Sequence, residues 1–431
     1  MLRDLLLASG LLLSTASQLR LAGLPVGPGE LFLLTWVLLM LGREAARLGP
    51  PITPPLTVLV MFWAAFAVAQ SIGTMTGYVI GDVHDPSLFR HDIMAYALLA
   101  IVSCLLVVGP GAGPHLHRVS WLLVSLGAGF LLIQVAGGFD VIDIGTIDPW
   151  YWERFRGWSS NANQLALLCV VLALLSLHLA EVASRTGERI AAIACAIVPV
   201  YVGRLSMSDS FALVLLFSVP IFLALKLRTW TREGRPTFRS AFAWIVILAL
   251  PAVVVSVVPL VNSIAVEAKD IAKEITRGED ADTERSASIR FAIWGDAIDR
   301  GLESAMLGLG PGPHLENPFR IGMGPLSEEA RKNPTTPQPS SLPNFEAHNT
   351  LLDLFMQSGL LGILSVVGLG AMTLAGTCRA KLDGLTTLLC GLAIFSCFHL
   401  IVRHPIFWFA IAVCLVAGDA VRRAPYRRTW S

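Results

Sequence analysis

Arg154, Arg156, Arg204 and Arg290 carry planar guanidinium forks, which donate parallel hydrogen bonds and stay charged. That chemistry suits a diphosphate. His348, in Glu346-Ala-His348-Asn349-Thr350, offers an imidazole that could take a proton from an attacking hydroxyl. Asn349 could orient it or bind sugar, and His314 is a weaker candidate base. Asn161-Ala-Asn163-Gln164 opens an apolar run. Asn161 is placed to cap a helix there. Asn163, an amide at membrane depth, needs a partner on another helix or on substrate. Asp209 would pair with Arg204 or a substrate hydroxyl. Structural alternatives stand beside each role. Arg154 and Arg156 lie among Trp150, Tyr151, Trp152 and Trp158, where arginines snorkel at a membrane interface. Arg290 could form a solvated salt bridge, and His348 could cap a helix.

Other chemistries find little support. His348, His314, Glu346 and Asp353 do not form a recognised metal-ligand set, so neither metal nor cofactor is expected. The seven cysteines include no CxxC and lie in apolar runs or a short basic loop, as small buried residues do. Gly308-Leu-Gly310-Pro-Gly312 lacks the GK[ST] of a phosphate-binding P-loop. No nucleophile motif suggests a Ser/His/Asp triad.

The elements that must position these residues are membrane helices. The 431 residues are 54% hydrophobic and 15% charged, against about a quarter charged in soluble proteins. Apolar runs predict an all-α polytopic protein with about twelve spans, near 3–23, 28–46, 54–72, 91–109, 117–136, 161–181, 188–203, 208–227, 240–262, 348–376, 384–402 and 405–421. The first is read as a retained helix rather than a cleaved signal. Gln70 and Gln134 read as interfacial, and Gly359 and Gly362 as sites of close helix packing. The chain thus divides into spans one to nine (1–262), a large loop domain (263–347), spans ten to twelve (348–421) and a short tail (422–431).

Seventeen Lys and Arg fall in one set of short connections and termini, five in the other. This bias predicts cytoplasmic termini and an outward 263–347 segment. Val266 to Leu302 has helical composition, Gly308 to Gly312 breaks it, and Pro-rich 317–345 reads as a loop.

Arg154-x-x-Gly157, Asn161-x-Asn163, Arg290-x-x-x-Trp294, Gly308-x-Gly310-x-Gly312 and His348-Asn349, with Gly359-x-x-Gly362, follow one another in the order seen in the O-antigen ligase and polymerase superfamily of bacterial envelope glycosyltransferases, which the chain resembles. The resemblance implies a GT-C-like membrane fold in the inner membrane. It implies metal-independent, inverting transfer from undecaprenyl-diphosphate-linked oligosaccharide to a glycan acceptor on the periplasmic face. Arg154 and Arg290 would hold the diphosphate and His348 would act as base. Asn161-Ala-Asn163 departs from the family's frequent Asn-Pro-Asn, and Ser208-Asp209 stands where a Ser-Arg pair is frequent; Arg204 lies four residues before Ser208.

A polymerase of lipid-linked repeat units, in exopolysaccharide or O-antigen synthesis, is the leading reading, with a chain-length regulator as a further partner and no nucleic acid. A ligase, passing glycan to lipid A core or protein, shares the chemistry. A transporter predicts midplane ionisable residues and two similar halves; here polar residues gather at the outer boundary and the halves differ.

Overall fold

A computed structural model of the chain describes residues 1–20, 26–47, 52–81, 86–143, 145, 147–233, 283–315 and 345–423, and its side chains except at 86, 229–233, 283–290 and 422–423. Among these residues the protein is a helical bundle. Its helices are α1 (Leu2–Leu13), α2 (Pro28–Ala46), α3 (Pro54–Ile80), α4 (Pro86–Leu106), α5 (Ala112–Gly138), α6 (Ala162–Val182), α7 (Thr186–Leu205), α8 (Asp209–Glu233), α9 (Thr283–Glu303), α10 (Thr350–Arg379), α11 (Asp383–Ser396) and α12 (Pro405–Arg423). A two-residue hairpin, β1 (Trp150–Tyr151) with β2 (Arg154–Phe155), precedes α6.

Six of these helices are long and apolar enough to cross a bilayer, namely α3, α4, α5, α6, α8 and α10. The chain is therefore a multi-pass membrane protein. The count of twelve spans is not reached on this criterion. The span expected at 240–262 and the loop 317–344 lie outside the described residues. The first expected span is broken: α1 stops after 12 residues, about 18 Å of rise, and a 3-10 turn at Ser17–Leu19 continues it. Ser14 and Thr15 end α1 by turning their hydroxyls back to Leu11 O and Leu12 O.

The bundle is built around α6. Its sequence is apolar on every face, the signature of an enclosed helix, and 83% of its apolar window is buried, against 22% for α10. Asn161 caps it as expected, accepting from Asn163 N at 2.8 Å. At its far end Glu181 is clasped by Lys226 of α8, which also pairs with Asp383 of α11 at 3.0 Å.

The break in α10 decides how the remaining elements assemble. Gly359 has φ +58 and ψ −159, a conformation open essentially to glycine. In an unbroken helix Leu360 N would bond to Met356 O. Here Leu360 N donates to Met306 O at 2.9 Å, while Met356 O and Gln357 O accept from Leu309 N (2.6 Å) and Gly310 N (2.9 Å). The Gly308–Gly312 loop is thus stitched into the break, and α3 closes on the seam: a Cβ on Gly73 would lie 2.5 Å from Gln357 O and 2.8 Å from Gly310 N. Gly359 is a chain-breaking position rather than a smooth packing site. Gln70 and Gln134 are buried, not interfacial; Gln134 accepts from Trp158 N at 2.9 Å and holds the loop before α6.

α9 begins at Thr283, and residues 266–282 of the expected helix lie outside the described residues. Its apolar positions dock as the spacing predicts: Ile293 and Ala297 pack with Leu315, Ala347 and Met356.

A Cβ at position 359 would lie 2.1 Å from Met306 O, whereas Gly368, in the same helix, has nothing within 4 Å. Gly359→Ala is expected to lose at least ~1–3 kcal/mol to backbone strain, and more through the clash, and to lower the melting temperature of the detergent-purified protein. Gly368→Ala leaves it unchanged.

Candidate active site

The loop before α10 presents His348, and it is fastened on several sides. Phe345 pairs with Leu315 through two backbone hydrogen bonds, of 3.2 and 2.6 Å. Trp294 of α9 donates its indole N–H to Ala347 O at 3.1 Å. Asp353, buried one turn into α10, accepts from Ala347 N (2.7 Å) and Asn349 N (3.2 Å). Asn349 caps α10 by accepting from Leu351 N and Leu352 N. Thr350 donates to His399 O and accepts from Ile401 N at 3.1 Å, which ties the loop to the turn between α11 and α12. His348 itself sits at φ +53, an uncommon conformation outside glycine that is held by its surroundings. Its exposed ring stands edge-on to Phe345, centroids 4.9 Å apart, and 6.4 Å from the His399 ring.

An ion network backs this loop. Arg403 bonds Asp92 of α4 at 2.8 Å and pairs with Glu346, two residues before His348. Burial alone would lower the Arg403 pKa, but Glu346 and Asp92 outweigh it and hold the group above its usual value. Removing one partner from such a network leaves a costly unpaired charge. The adjacent His404 is pushed down to about 4 by burial and by the Arg403 and Arg20 charges, so its imidazole is neutral near pH 7. Deeper in, Tyr96 donates to Gln357 Oε1 at 2.9 Å, joining α4 to the α10 break.

A polar cavity of about 180 Å³ lies between these groups, with Asn163, Glu346, His348, His399, Arg403 and His404 in its wall. Arg154 stands behind the wall: its guanidinium donates to Asn163 Oδ1 at 2.8 Å and to Ser206 O at 3.2 Å. It therefore fixes the Asn163 amide and the α7–α8 turn together. Arg204 and Asp209 flank that turn but line no part of the cavity. They form no ion pair with each other among the described residues, so of the two partners expected for Asp209 the substrate hydroxyl is the one left open. Asp209 is exposed beside Ser210, whose hydroxyl lies 3.2 Å from His399 Nε2. Arg156 is engaged with Asp148 at 2.7 Å and stacks over Tyr151. Arg290 lies in α9 one turn before Trp294, with its side chain outside the described part. His314 is buried, its Nε2 2.8 Å from Gly310 O. The wall residues that motif reading passed over are His399, Arg403 and His404. Their signal was an Arg-His pair, Arg403-His404, opening the last apolar run on the side assigned to His348.

At the opposite end of α10 another cavity, about 330 Å³, is lined by Arg379, Thr373 and Asp419 among others. It shares no residue with the His348 cavity.

A multi-pass helical membrane protein with a His-, Arg- and Asn-lined cavity is the class that fold and site define. Residues 192–367 match the family model described as O-antigen ligase, which supports the O-antigen ligase and polymerase superfamily as the family of this chain. The matched segment includes Arg204, Asp209, Arg290 and His348, while Arg154, Asn163 and Arg403 lie outside it. It suggests a membrane glycosyltransferase-like function in O-antigen processing, with the bilayer and a lipid-linked glycan as partners. No curated protein matches the chain.

If Arg154 acts through Asn163, Arg154→Lys and Asn163→Ala are not additive. A double-mutant cycle on unfolding of the purified protein is expected to return a coupling of about 0.5–3 kcal/mol. Arg156→Lys with Asn163→Ala, by contrast, should add.

Proposed function

We propose that this chain transfers a glycan from a polyprenyl diphosphate carrier, with the His348 cavity as its reaction site on the periplasmic face. The observation that carries the reading is the convergence of a fastened, accessible His348 with Asn163, His399 and Arg403 around one cavity. An acceptor hydroxyl enters beside His348. Its oxygen bonds to the anomeric carbon of the donor sugar while the bond from that carbon to the diphosphate oxygen breaks. The hydroxyl proton passes to His348, and the electron pair of the broken bond stays on the diphosphate. A single displacement of this kind inverts the anomeric centre. Developing charge on the leaving oxygen is met by fixed cationic and N–H donors. Arg290 and Arg403 are the arginines proposed for this, with Arg154 a positioning residue acting through Asn163. Arg156 and Arg204 are proposed to shape the donor entrance, Asp209 to face the acceptor, and Asn349 to set the His348 loop. Energy comes from the activated donor, and no cofactor or metal is invoked. Placement in the inner membrane with both termini cytoplasmic puts His348 where lipid-linked repeat units are presented.

The favoured acceptor is a second lipid-linked repeat unit, which makes the chain a polymerase of exopolysaccharide or O-antigen working beside a chain-length regulator. The family description, O-antigen ligase, favours the other acceptor, lipid A core or protein.

His348→Gln, expressed at wild-type level, is expected to lose transfer by roughly 100- to 10,000-fold, the usual worth of general-base catalysis. In a deletion strain carrying this variant, gels should show no polymer if the chain is a polymerase, and polymer retained on the lipid carrier if it is a ligase. Wild-type glycan profiles from this variant would remove His348 as the base.

A further inference from the structure

The hairpin before α6 has two faces with different fates. Trp150 and Phe155 are register partners and turn into the protein: Phe155 is buried, and Trp150 donates its indole N–H to Gly138 O at 2.6 Å. Tyr151 and Arg154 are the next pair and share the other face. Arg154 reaches Asn163 in the wall of the His348 cavity. Tyr151 stands 57% exposed beside it, with the Arg156 guanidinium 5.3 Å from its ring centroid. The two-residue turn between them holds Trp152, 89% exposed, its ring 6.4 Å from that of Tyr151.

Trp152 is a costly choice at this position. Its φ is +57, the left-handed value that two-residue hairpins ask for and that glycine or asparagine normally supplies. For a bulky side chain it is strained, and the indole gains no burial in return. Strain held at an exposed aromatic group points to a role outside folding. The hairpin is anchored well enough to present it: Arg156 bonds both the carbonyl and the carboxylate of Asp148, and Gln18 braces the same residue. Phe139 packs on Trp150, which brings the end of α5 against the hairpin. Exposed there are Asp140 and Asp143, with Glu153 in the turn itself; none forms an ion pair among the described residues. Such a rim repels an anionic bilayer surface, whereas carboxylates accept hydrogen bonds from hydroxyls. Aromatic faces, which carry partial negative charge, stack on the C–H faces of pyranose rings. Aromatic faces rimmed by carboxylates are thus complementary to a glycan.

Resting on the glycosyl-transfer reading above, we propose that Tyr151 and Trp152 form a stacking platform for the donor glycan. The sugar joined to the diphosphate occupies the His348 cavity, and the sugars that follow it leave over the hairpin. Arg154 links the two places, through Asn163 on one side and its ladder partner Tyr151 on the other. The platform holds the chain and takes no part in the displacement.

The test uses the full chain in nanodiscs of phosphatidylcholine. A strain deleted for this chain supplies its lipid-linked glycan. The intact material is the transfer substrate, and the glycan released from it by mild acid is the binding probe. Trp152→Gly is expected to keep or raise the melting temperature, because the turn relaxes. It should weaken binding of the released glycan by about three- to tenfold, the worth of one aromatic stack. Trp152→Phe, which keeps an aromatic face, should recover most of the binding. Trp152→Asn serves as the second variant if Trp152→Gly does not fold. No binding by wild type, equal affinity in Trp152→Gly, or no recovery in Trp152→Phe would each overturn the platform. So would a bilayer seat for the indole, seen as quenching by brominated phosphatidylcholine of the fluorescence that Trp152→Phe removes; the expected result is no quenching. If wild type does not transfer glycan from the intact material, the glycosyl-transfer reading falls and the platform with it. Transfer by wild type, with binding untouched by Trp152→Gly, removes the platform alone.

Discussion

Backbone polar groups inside a bilayer must find partners within the protein, because each one left bare in hydrocarbon costs several kcal/mol. The interruption of α10 at Gly359 creates that demand, and the glycine loop after α9 meets it. Met356 and Gln357 carbonyls, freed by the break, accept from Leu309 and Gly310, and the Leu360 N–H finds Met306 O. These hydrogen bonds hold α9 and its loop against α10 and bring α3 into contact with the seam. Once α9 is placed, Trp294 reaches Ala347, and the loop bearing His348 has its outer support.

A second layer of constraint comes from carboxylates. Asp353 fixes the backbone of 347 and 349, and Glu346 joins the same loop to Arg403 and, through it, to Asp92 on α4. Three segments far apart in sequence are thereby locked together behind the cavity: the α10 start, the α11–α12 turn and α4. Arg154 extends the lock from the hairpin to the α7–α8 turn through Asn163 and Ser206. Pre-organisation of this kind suits a reaction whose acceleration depends on fixed donors rather than on a mobile cofactor.

Much of this was legible in the residues. Long apolar runs placed most helices within a few residues, because the demand for continuous hydrophobicity leaves few alternatives. The Asn161 cap and the Ile293/Ala297 face followed from local rules that tertiary packing did not override. What escaped were features set by distant partners. The α1 run reads as one span, yet it ends at Leu13, which leaves Arg20 free of the helix and at the edge of a cavity. Gly359-x-x-Gly362 looks like a packing motif, and only the loop opposite it reveals a broken helix. Arg156 looked equivalent to Arg154; Asp148 engages one and Asn163 the other. Arg403 and His404 belong to the cavity because α12 folds back beside α6, a proximity that no spacing encodes.

The proposed reaction site is tested most directly by a cryo-EM structure of the full chain in a lipid nanodisc with an undecaprenyl-diphosphate-linked oligosaccharide. Its predicted result is the sugar–diphosphate linkage inside the cavity of Asn163, His348, His399 and Arg403, with the His348 imidazole facing the anomeric carbon from the side opposite the diphosphate. Density for the linkage at the far end of α10, in the cavity of Arg379 and Asp419, with the His348 cavity empty, would contradict it.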